Sequence, residues 1–123
     1  MKKIESVQEV IEIIESGKYN YYGFRKATDH DREVMERGYL DCSYDWIDGE
    51  QTEDQLSGSC AVGIYDYMDE DQISERFHQC SRQYSGSIVF LIADNRCEYG
   101  NDENEVILGS NGCGADVLGI VEI

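Results

Sequence analysis

The chain has 123 residues, 26 Asp+Glu against 10 Lys+Arg, and a formal charge of −16. That length suits one domain spanning residues 1–123, and 41% hydrophobic residues with 9 Tyr supply enough apolar mass for a folded core, which argues against a disordered chain. A surface this negative repels nucleic-acid phosphates and anionic lipid, so direct nucleic-acid or membrane binding is not expected.

The longest apolar run, Ile88 to Ala93, is too short to cross a bilayer, and Met1-Lys2-Lys3 runs into Glu5 rather than an apolar leader. A cytoplasmic protein is expected. Five widely spaced cysteines, Cys42, Cys60, Cys80, Cys97 and Cys113, form no Cys-x-x-Cys pair and read as reduced, small hydrophobic residues. His30 and His78 have no second histidine at helical spacing, and the acidic stretches Asp66 to Asp71 and Asp94-Asn95 lack the glycine of a calcium loop, so no metal is expected.

Ile4, Val7, Ile11 and Ile14 fall at helical spacing and predict an N-terminal helix, with Ser6 and Glu9 as a capping box and Gly17 as its end. Tyr19 to Arg25 is aromatic and reads as the first strand, with Gly23 marking a close backbone approach. From Asp29 to Asp54 ten acids meet two arginines, half of the net charge, around Tyr39, Tyr44 and Trp46. This segment reads as a long surface excursion with a turn at Asp48-Gly49.

Ser57-Gly58-Ser59 then leads into a strand at Cys60 to Ile64. Ile73, Phe77, Cys80 and Tyr84 predict a central helix whose start carries Asp69 to Asp71, where the helix dipole favours negative charge. Three apolar stretches follow, Ser87 to Ala93, Glu105 to Leu108 and Val117 to Ile123, separated by turn residues. The order predicts an α+β fold with a small, mostly antiparallel sheet, or two small sheets, and an N-terminal and a central helix. The expected core is Val7, Ile11, Ile14, Phe24, Val62, Ile64, Phe77, Val89, Leu91, Ile107, Leu118 and Ile120.

Glu103 and Glu105 stand two apart before Val106-Ile107-Leu108; in a strand they would share a face, and their repulsion would raise the pKa of at least one. This Glu-x-Glu resembles the closing motif of mono-ADP-ribosyltransferases. Ser57-Gly58-Ser59 is similar to that family's middle Ser-x-Ser, and Arg25 to its first-strand arginine, in the same chain order. The resemblance implies an enzyme that transfers ADP-ribose from NAD to a protein target. Glu105 would hold the nicotinamide ribose and stabilise the charge left as nicotinamide departs, and Glu103 would orient the acceptor. Arg25 would neutralise the NAD diphosphate, and Ser57 or Ser59 would position the nicotinamide half. Apart from the resemblance, the cluster Tyr19, Tyr21 and Tyr22 reads as half-buried strand packing, with Tyr22 the ring that could stack on a ligand base.

A different reading follows from charge. Asp41, Tyr44, Asp45, Trp46, Asp48 and Glu50 interleave carboxylates with aromatics, and could imitate the charge lattice of nucleic acid in a basic groove of a partner protein. In size and charge the chain resembles phage-encoded inhibitors of bacterial defence, which implies a counter-defence decoy acting without catalysis in the host cytoplasm.

Overall fold

The computed structural model describes residues 2–27, 29–40, 44–47, 50–56, 59–65, 68–95, 97–99, 105–108 and 115–121; at 30, 34, 35, 44–47, 50–56, 59, 60, 97–99, 105 and 107 it describes the backbone. In chain order the elements are β1 (Lys3–Ile4), α1 (Val7–Glu15), β2 (Tyr21–Lys26), α2 (Asp29–Val34) with a 3-10 turn (Met35–Arg37), β3 (Tyr44–Ile47), β4 (Glu50–Leu56) and β5 (Ser59–Ile64). Then come α3 (Glu70–Gln83), β6 (Val89–Asp94), β7 (Cys97–Tyr99), β8 (Glu105–Leu108) and β9 (Asp116–Val121).

The fold is α+β. Seven strands form one sheet in the order β1-β9-β6-β2-β5-β8-β7, and β3 with β4 forms a two-stranded sheet. Every pairing is antiparallel except β1 with β9.

The interior strand β6 is buried along Val89 to Ala93, which explains an apolar run without polar alternation: both of its faces are covered. Alternate residues feed two cores. Tyr22, Phe24, Ile64, Val89, Leu91, Ala93 and Val121 pack with Val10 and Ile11 of α1 and Ile73 and Cys80 of α3. On the opposite face Phe90, Ile92, Ala61, Val106 and Leu108 pack with Leu40 and Ala115. The expected core names the helix side well and misses most of the second face, because only one residue parity was taken from each strand.

Both predicted helices form, with instructive differences at their starts. Ser6 Oγ accepts from Glu9 N at 3.3 Å, but Glu9 Oε1 accepts from Glu5 N at 3.2 Å, one residue before the amide a capping box would use. Ile4 is not in the helix: it forms β1 opposite Val121 and packs into the helix-side core. Gly17 ends the helix at φ +68°, as expected of a left-handed cap. Asp69 caps α3 in a reciprocal box with Gln72, at 2.8 and 2.9 Å.

The expected excursion from Asp29 to Asp54 is instead built largely of regular elements. It contains α2, the 3-10 turn and the β3/β4 hairpin, whose strands pair at Ile47 and Glu50, on either side of Asp48-Gly49. Leu56 is the last residue of β4, opposite Tyr44. The short strand β7 is a further addition to the predicted set.

Candidate functional site

The three strands that carry the transferase-like motifs, β2, β5 and β8, are consecutive neighbours in the large sheet. Phe24 pairs with Val62, and Val62 with Glu105, so position 105 lies in the row of Phe24, two strand spacings or roughly 10 Å away. Ser59 pairs with Leu108 at the other end of the β5/β8 ladder. Ser57 and Glu103 lie outside the described residues.

Tyr22 and Arg25 do not meet, because three positions along a strand reverse the face. Tyr22 is buried against α1, its hydroxyl donating to Ile13 O at 3.5 Å and accepting from Tyr19 N at 3.3 Å. Arg25 is on the other face, where its Nε donates to Asp31 Oδ2 at 2.9 Å, with side-chain exposures of 13% and 5%. The pair ties α2 to the sheet, and a buried charge of this kind needs its partner close by. Asp31 was not among the sequence candidates. Its signal was faint: an acid six residues past a strand arginine, in a stretch already crowded with acids.

Of the residues named for partner binding, Tyr44, Asp45 and Trp46 form β3 and Glu50 opens β4, while Asp41 and Asp48 lie outside the described residues. Exposed carboxylates stand in α2 and the 3-10 turn, at Asp29, Glu33 and Glu36, and also outside this segment. In α1 the half-buried Glu9 and the exposed Glu12 and Glu15 recur every three residues, and Val7–Glu15 contains no cation. At a rise of about 1.5 Å per residue this is one carboxylate per roughly 4.5 Å of axis, close to the 3.4 Å per phosphate of one DNA strand. In α3, Glu70, Asp71 and Glu75 are exposed, and Arg82 donates to Glu75 at 3.0 Å.

A second polar cluster gathers at the start of β9. Tyr19 Oη donates to the exposed Asp116 Oδ2 at 2.7 Å, and this bond, then burial, pushes the Tyr19 hydroxyl up to about 12. Tyr39 bridges Asp116 from the other side and carries the Arg37 guanidinium 4.2 Å from its ring centroid. Sequence reasoning named Tyr39 within the acidic stretch without assigning it a place.

Among the described residues no group of three or more His, Cys, Asp or Glu is arranged to hold a metal ion, and no helix is long and apolar enough to cross a membrane. Cys80 is a buried free thiol in the helix-side core, and burial pushes its pKa up to about 11, which keeps it protonated and inert. Comparison with protein-family models, curated proteins and solved structures finds no match to this chain.

Proposed function

We propose that the chain is an acidic binding protein that sets the carboxylates of its helical face on a basic surface of a partner protein, as a nucleic-acid mimic or inhibitor would. The observation that carries this reading is the position of Glu12 and Glu15. Both are exposed in the second half of α1, where the helix dipole disfavours negative charge and the last turn carries no basic residue. Acids placed against the local rule point to a use outside the helix.

The test is binding of the intact chain to immobilised poly-L-arginine across a salt series. Affinity should fall steeply and log-linearly with salt, as it does when a polyanion meets a polycation and counterions are released. Neutralising Glu12 and Glu15 together should weaken binding more than neutralising Asp29 and Glu33. Equal losses would leave only a general charge effect and remove the assigned face.

A second reading is favoured by one observation, the adjacency of β2, β5 and β8. It is an ADP-ribosyltransferase-like domain that uses NAD to modify a protein. NAD at 100 times its dissociation constant would add about 2.7 kcal/mol of stability, a gain lost in Arg25→Ala. Because Asp31 holds Arg25, the diphosphate would have to displace a carboxylate already in place. Thermal stability indifferent to NAD at any concentration would rule this reading out.

A further inference from the structure

Leu40 is fully buried in the second core, and its N–H donates to Ala115 O at 2.9 Å. On the other side of Tyr39, Val117 N donates to Gly38 O at 2.8 Å. Residues 38–40 are therefore clamped along the outer edge of β9, with Gly38 at φ +87° making the approach.

Extended backbone alternates its side chains, so with Leu40 driven inward Tyr39 must point outward. It is 48% exposed, the one exposed large hydrophobic side chain among the described residues. Arg37 further fixes it, donating from Nε to Tyr39 O at 3.0 Å while its guanidinium lies on the ring. The ring cannot turn inward without extracting Leu40. It is thus a rigid aromatic, displayed at low entropic cost, of the kind that anchors interfaces.

Its surroundings say what it would hold. Exposed Asp116 lies across the bridge with Tyr19 on its carboxylate, and exposed Glu36 precedes Arg37. The Arg37 and Lys18 cations already lie over the Tyr39 and Tyr19 rings, at 4.2 and 5.9 Å, so these ring faces attract positive charge within the molecule itself.

We infer that Tyr39, with Asp116 beside it, is the anchor point for an arginine side chain of a basic partner protein. The guanidinium would stack on the open part of the ring and direct its N–H groups at the Asp116 carboxylate. This rests on the acidic-binding reading and assigns it a specific contact in addition to the carboxylates of α1.

The experiment uses the full chain, poly-L-arginine as the probe, and the variants Tyr39→Phe and Tyr39→Leu. Phe keeps the ring quadrupole and Leu keeps only apolar area. Tyr39→Phe should bind like the wild type, and Tyr39→Leu about two- to fivefold more weakly, the range of an exposed cation–π contact. The slope of log affinity against log salt should be the same for all three, because a ring releases no counterions. Equal affinity of Tyr39→Leu and wild type, or an equal loss in Tyr39→Phe, would overturn the stacking anchor while leaving the acidic-binding reading intact. Failure of the wild type to bind poly-L-arginine at low salt would overturn both.

Discussion

Gly63→Ala puts the sheet register to a direct test. Gly63 pairs with Gly23 across β2 and β5, and a Cβ built on it meets Val106 Cγ1 at 2.6 Å and Tyr65 Cζ at 3.2 Å. Carbon atoms in contact sit about 3.5 Å apart, so the new methyl needs roughly 0.9 Å more room. Val106 cannot give it, since it is buried and its strand is fixed to β5 by the pairing of Ala61 with Val106. Overpacking costs about 1–3 kcal/mol, and the smaller unfolded-state entropy of Ala returns about 0.5. With an unfolding entropy near 2.1 cal/mol/K per residue, 1 kcal/mol corresponds to about 4 °C here, so the net cost of about 0.5–2.5 kcal/mol should lower Tm by about 2–10 °C. Val106→Ala alone should destabilise through its cavity, by about 2 kcal/mol. Combined with Gly63→Ala it should cost at least about 1 kcal/mol less than the sum, because the added methyl enters the space vacated. Thermal and urea unfolding followed by circular dichroism read all four proteins. An unchanged Tm for Gly63→Ala, or strictly additive effects, would show that these two strands do not pack as described.

Asp31→Ala removes the carboxylate that faces Arg25 and should destabilise by about 3 kcal/mol, lowering the urea midpoint; a change below about 1 kcal/mol would mean that α2 is held by its other contacts. Alkaline pH should also destabilise the fold. Burial raises Cys80 from 9.0 to about 11, and Tyr19 rises from 10.0 to about 12, so the unfolded chain releases these protons first. Their stabilisation is complete below pH 9 and is lost as pH rises through 11 and 12, and Cys80→Ala should flatten the first part of that decline, between pH 9 and 11. Urea midpoints measured below and within the window check both the sign and the residue.

The elements most legible in the sequence were those whose side chains repeat at one period. The stripe of Val7, Ile11 and Ile14, and that of Ile73, Phe77 and Cys80, each fix a helix and the face it buries. Ile4 fits the first stripe equally well, yet pairing with Val121 draws it into β1, a long-range contact that local spacing does not encode. Gly119 shows the same dependence: a Cβ there would come within 2.9 Å of both Lys2 O and Ile4 Cδ1, so a residue near one end of the chain makes room for a strand at the other. The acidic stretch concealed α2, since Asp and Glu contribute no apolar stripe, and α2 is held by an ion pair that periodicity cannot show. The candidate site divided in the same way. The sequence names Arg25, Ser59 and Glu105 in chain order, but only the fold shows that β2, β5 and β8 are neighbours, that Arg25 already has a carboxylate partner and that Tyr22 faces away from it.

The acidity of α1 can be separated from its folding by one substitution. Glu15 ends the helix, exposed, three residues after Glu12 and with no basic residue in the last turn. Both neighbours work against it: the dipole costs about 0.3–1 kcal/mol per charge, and the like-charged pair adds about 0.2–0.5. Glu15→Lys should remove both costs and raise stability by at least about 0.5–1.5 kcal/mol, or about 2–6 °C in Tm, with the gain shrinking as salt screens it. The buried faces of the sheet are untouched, so no packing loss opposes the gain. If the stripe serves a partner, the same variant should bind poly-L-arginine more weakly and with a salt slope shallower by at least about 1. A chain made more stable and less able to bind would mean that the negative charge at this position is maintained at the expense of the fold. Higher stability with binding unchanged would reduce the stripe to a solvated surface and remove the main support for the binding reading. Lower stability would show that Glu15 makes a contact in the folded chain that outweighs the dipole.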